Sequence, residues 1–166
     1  DTDKLKGFGK DLTKNDVLIN LGDFGFIWYH DKHPKRKKDD AYLKWLSSQK
    51  YTFAFVDGNH ENFDLIEQSP IIEKWNGKVN EVYPGIYRLR RGEVYTINGK
   101  KIFVLGGAMS NPNQKEGNYS GRGRNKKLKL QKVWWEKEIP SKEEFSYALD
   151  KIKKHNNKVD YVLTHT

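Results

Sequence analysis

Four short apolar runs punctuate the chain, and each stops abruptly at glycine or at residue types that ligate metal. They are DVLINLGDFG (16–25), YTFAFVDGNHE (51–61), KKIFVLGGAMS (100–110) and VDYVLTHT (159–166). Val, Ile and aromatic residues dominate them, and continuous runs of this kind predict strands covered on both faces. Helical patterns lie between. DDAYLKWLSSQ (39–49) opens with acidic residues that suit a helix N-terminus. ENFDLIEQSPIIEKW (61–75) predicts a helix broken or kinked at Pro70. In PSKEEFSYALDKIKKHNN (140–157), Ser141 and Glu144 fit a capping box, and Phe145, Ala148, Leu149 and Ile152 form one apolar face. Asn98-Gly99 separates two strand-like runs and predicts a hairpin, because both residues accept positive φ. The resulting order is strand, helix, strand, helix, hairpin, helix, strand. It makes the fold class α/β, with one domain over residues 1–166.

Composition narrows the chemistry. The absence of cysteine excludes disulfides, thiolate zinc sites, iron–sulfur clusters and Cys nucleophiles. No apolar run approaches the roughly 20 residues that span a bilayer, so a cytoplasmic protein without a membrane partner is expected. Lys and Arg exceed Asp and Glu by 31 to 22, a net +9, which permits a nucleic-acid partner without requiring one. The surplus concentrates in KHPKRKK (32–38) and RGRNKKLKLQK (122–132), both read as solvated segments. Aromatic residues do not alternate with these cations as they would on a stacking platform.

Ligands of α/β sheets bind beyond the carboxyl ends of the strands. Three of the four predicted strand ends carry O or N donors there: Asp23, the pair Asn59-His60, and His165. Singly, each has a plain structural explanation, such as a capped turn, a left-handed Asn or a core histidine. Together they form a set suited to Mn, Fe, Zn or Ni rather than to thiophilic metals. Gly106 and Gly107 follow the third strand, and Gly107 is a candidate to line a phosphate site. Arg122 and Arg124 are further candidates for a phosphate, although their Gly-rich surroundings read as a loop. His30, His33 and His155 read as surface residues, and Trp134 and Trp135 as packing residues on a short helix. There is no phosphate loop, dinucleotide fingerprint or serine nucleophile elbow.

LGD (21–23), GNHE (58–61) and LTH (163–165), in that order on strand ends, resemble the motifs of the calcineurin-like metallophosphoesterases. The resemblance runs from Asp16 to Thr166. It implies two packed mixed β-sheets flanked by helices, and two divalent metal ions, with Mn²⁺ first and Fe, Zn or Ni as alternatives. It implies that Asp23 bridges both metals, that Asn59 and His165 bind the second, and that His60 contacts the phosphate and protonates the leaving group. The expected reaction is hydrolysis of a phosphate-ester substrate, monoester or diester, by water activated between the metals. A nuclease of the same superfamily, or a non-catalytic basic nucleic-acid-binding domain of the same fold, is the alternative. The family's Asp-x-His and Gly-His-x-His blocks are expected upstream of Asp1 and downstream of Thr166. Protein serine/threonine phosphatases of the superfamily carry further Asp and Arg residues beside these motifs. Phe24-Gly25-Phe26 and Asp57 stand there instead, so the chain resembles the bacterial or phage members.

Overall fold

Residues of β2 (Thr52–Val56) alternate between two apolar environments, and that alternation sets the layers of the protein. The structure, a computed structural model, describes residues 7, 9–110, 119–120, 131–132 and 134–165. Phe53 and Phe55 pack on one side with Tyr42, Leu43 and Leu46 of helix α1 (Arg36–Ser47). Ala54 and Val56 face the other side, where Ile102 and Val104 of β7 (Lys100–Leu105) meet them. Each fully buried side chain of this size contributes about 1.5–3 kcal/mol, so the period-two pattern locks the strand's register.

Two mixed sheets result, as expected. The larger contains β1 (Val17–Leu21), β2, β3 (Ile71–Lys74), β4 (Gly77–Tyr83) and β5 (Ile86–Leu89), in the order β1-β2-β5-β4-β3. Its β1, β2 and β5 run parallel, and β3 and β4 are antiparallel additions. The smaller sheet has the order β10-β7-β6, from β10 (Tyr161–Thr164) and β6 (Val94–Ile97). Helix α3 (Lys142–Lys154) covers its outer face through Ala148 and Ile152. A third, two-stranded sheet pairs β8 (Tyr119–Ser120) with β9 (Gln131–Lys132). Arg122 and Arg124 lie outside the described residues.

Asn98 and Gly99 adopt positive φ (49° and 76°) and join β6 to β7 as the expected hairpin. The Ser141 capping box of α3 also forms: Ser141 Oγ accepts from the Glu144 amide, and Glu144 accepts from the Ser141 amide. Three expectations fail. The helix expected over 61–75 is a single short α2 (Phe63–Ile66), capped by Asn62, and the segment after Pro70 is strand β3. A turn at Trp75-Asn76, both at positive φ, folds β3 back onto β4; the Asn76-Gly77 step carried that signal. Next, Phe145 and Leu149 of α3 are exposed, because the helix is rotated toward its polar edge. There Tyr147 and Lys151 both reach the buried Glu93. Finally, among the described residues, β1 and β10 stand at the ends of their sheets, with Leu21, Tyr161 and Val162 exposed. None of the described helices is long and apolar enough to cross a membrane.

Candidate metal centre

The parallel registers align Leu21 of β1 with Val56 of β2, and Thr164 of β10 with Leu105 of β7. The residues just beyond these ends therefore meet across the seam between the two sheets. Asp23 follows Gly22 in a left-handed turn, with φ of 54° and 106°, which folds its carboxylate back over the strand ends. Asp23 Oδ1 accepts the His60 amide at 3.1 Å and lies 3.4 Å from His165 Nε2. His165 Nδ1 meets the Leu21 carbonyl oxygen at 2.7 Å. A carbonyl can only accept, so this contact assigns the ring proton to Nδ1. Nε2 faces the Asp23 carboxylate.

Gly58 walls this meeting point. A Cβ there would come within 2.5 Å of Asp23 Oδ1 and 2.8 Å of His165 Nε2. Two electron-pair donors thus converge on a space that only glycine leaves open. The calcineurin-like phosphoesterase family model matches residues 1–166. This chain is a calcineurin-like phosphoesterase. Comparisons with curated proteins and with solved structures found no match.

Phosphoesterases of this family generally use divalent metal ions, and the donors here fit one. A carboxylate oxygen and an imidazole nitrogen, both donor types that divalent ions accept, meet beside the space that Gly58 leaves open. Among the described residues, no three His, Asp or Glu side chains gather closely enough to hold an ion without other donors. The remaining candidate, Asn59, sits on the loop between Gly58 and His60. Its Nδ2 donates to Ser110 Oγ at 3.1 Å, and Ser110 in turn donates to Glu138 Oε2. The His60 side chain is exposed at the rim. His30 and His33 are exposed surface residues, and Trp134 and Trp135 are buried ahead of a short 3₁₀ turn, Glu136–Glu138.

Several residues brace this candidate site through contacts that carried no sequence signal. Glu61, read as the start of a helix, is fully buried and accepts the amides of Phe24 (2.7 Å) and Gly25 (3.1 Å). It ties the loop after Asp23 to the loop carrying His60, and burial pushes its carboxyl up to about 8. Asp57 is also fully buried, between Arg88 Nε (2.9 Å) and Arg91 Nε (2.8 Å). Those guanidinium groups hold its carboxyl below the usual range against the cost of burial. Arg91 continues to Glu144 on α3 and to the Glu138 carbonyl. The Gly107 amide donates to the Asp57 carbonyl at 2.7 Å, and a Cβ at Gly107 would strike the Glu138 carbonyl. Asp57 therefore anchors the base of the Gly58–His60 loop to both sheets and to α3.

Proposed function

We propose that the chain hydrolyses phosphate esters with two divalent cations, Mn²⁺ foremost, held between the strand ends. The observation that carries this reading is the facing of His165 Nε2 and Asp23 Oδ1 at 3.4 Å beside Gly58. Asp23 would be shared by both cations, and Asn59 and His165 would help hold the second. Bound cations supply charge neutralisation for the phosphate oxygens and a more acidic attacking water. His60 holds a proton at the rim for the departing oxygen. Hydrolysis of para-nitrophenyl phosphate and its bis ester, with and without Mn²⁺, tests the reading. Activity should need the metal and should be largely lost in Asp23→Asn, whose neutral amide cannot support two cations. Full activity after exhaustive chelation, or in Asp23→Asn, would rule the mechanism out.

The Ser110–Glu138 pair orients Asn59 for this task. Because Nδ2 is committed to Ser110, the carbonyl oxygen is the end left to meet a cation. Ser110→Ala releases the amide, and loss of such an outer contact costs about 10- to 100-fold in metal affinity. Calorimetric titration of Mn²⁺ into the variant should find that loss. An unchanged isotherm would detach Ser110 from the metal site.

A further inference from the structure

A cavity of about 550 Å³ lies between β3, β4 and β5 on one side and the first turns of α3 on the other. None of Asp23, Asn59, His60 and His165 lines it. Its sheet wall is cationic. Asn80 of β4 pairs with Arg88 of β5, and residues two apart in a strand share a face, so Lys78, Arg88 and Arg90 gather on one side. The Tyr95 hydroxyl ties Lys78 to Arg90, donating to the carbonyl of the first and accepting the amide of the second, each at 2.7 Å. Like charges on neighbouring strands repel, so this cluster costs stability unless a counter-charge meets it.

The protein supplies little of it. Arg88 is only 4% exposed, yet its guanidinium has no acceptor beyond Asp57 among the described residues. Asp57 gives Oδ1 to Arg88 and Oδ2 to Arg91, and one carboxylate oxygen cannot satisfy five N–H donors. Arg90 Nη1 donates to the neutral Asn80 amide oxygen at 3.1 Å, and neither Arg90 nor Lys78 has a carboxylate partner among the described residues. The carboxylates of the facing wall are already matched. Glu93 takes Lys151, Glu144 takes Arg91, and Glu67 takes Lys137. Glu143 is the lining carboxylate that keeps no cation among the described residues, and it is exposed.

We propose that this cavity is an anion site separate from the metal centre, and that it binds the phosphate group of a small organic phosphate. The Arg88 guanidinium takes the phosphate oxygens, and Lys78 and Arg90 complete the neutralisation. A planar fork of N–H donors matches a phosphate bidentately, and burial strengthens each charge-assisted bond. The volume exceeds what a phosphate alone fills. Ile71 and Tyr147, 54% and 40% exposed, offer apolar surface to the carbon skeleton. The Tyr147 ring is held in place, because its hydroxyl donates to Glu93. Binding here needs no metal and no turnover.

Calorimetric titration of phenyl phosphate into the full chain, in EDTA, tests the site with the metal centre empty. The wild type and Asp23→Asn should bind it alike and saturably, and phenol should not bind. Lys78→Gln/Arg90→Gln should weaken binding roughly 10- to 100-fold, the cost of losing hydrogen bonds to a charged group. Arg88→Lys keeps a cation beside Asp57 but removes the fork, and it should weaken binding to a similar extent. Circular dichroism confirms that each variant is folded, and the Lys78/Arg90 variant decides the matter if Arg88→Lys does not fold. No saturable binding by the wild type, unchanged affinity in the folded Lys78/Arg90 variant, equal binding of phenol, or loss of binding in Asp23→Asn would each overturn the assignment.

Discussion

His60→Ala should lower kcat by roughly 10²–10⁴-fold, the usual contribution of a positioned acid, while leaving metal content nearly unchanged. The proposed reading gives the two roles to different residues. The His60 backbone amide is committed to Asp23, and its side chain is exposed. Asn59, one residue earlier, turns instead toward Ser110. The loss should shrink for para-nitrophenyl esters, whose leaving group needs little protonation, and be largest for alkyl esters. Rates on both esters, beside metal analysis of the purified variant, check the expectation. Loss of a whole metal equivalent would make His60 a ligand, and unchanged rates on both esters would make it structural.

Asp57→Ala should destabilise the fold by about 3–5 kcal/mol, because it leaves the Arg88 guanidinium buried without its counter-charge and Arg91 with Glu144 alone. Arg88 and Arg91 are only 4% and 6% exposed, and Asp57 is their shared carboxylate partner. Asp160→Ala, which removes the exposed Lys100 ion pair and a hydrogen bond from the Lys101 amide, provides the contrast: exposed contacts of these kinds are worth about 1 kcal/mol or less each. Urea unfolding of the two variants against the wild type measures both numbers. A cost for Asp57→Ala no greater than for Asp160→Ala would mean that water reaches the arginines.

The parts of the fold that could be read in advance are those encoded locally. Asn98-Gly99 dictates its own backbone angles, and the Ser141 cap needs only the residue three places on. The candidate residues at the strand ends were legible for a related reason: Asp23, Asn59 and His165 each follow an apolar run. The Asn76-Gly77 signal was hidden because the helical spacing of Leu65, Ile66 and Ile72 runs across Pro70, and the proline terminates rather than kinks. The face of α3 was misread because Glu93, 54 and 58 positions from Tyr147 and Lys151, draws the helix round its axis. Asp57, Glu61 and Glu138 escaped notice for the same cause. Their partners come from distant strands and loops, and no local spacing announces a contact of that range.

Asp23 and His165 belong to different sheets, one beyond β1 and the other beyond β10, and Nδ1 of the histidine is pinned to the Leu21 carbonyl of the first sheet. The site is therefore also a clasp. A ligand gripped by both residues adds its binding free energy to the cohesion of the sandwich, about 2.7 kcal/mol when present at a hundred times its Kd. On the proposed metal reading, a chelator should lower the melting temperature of this protein as well as its activity, and heat resistance becomes a gauge of site occupancy.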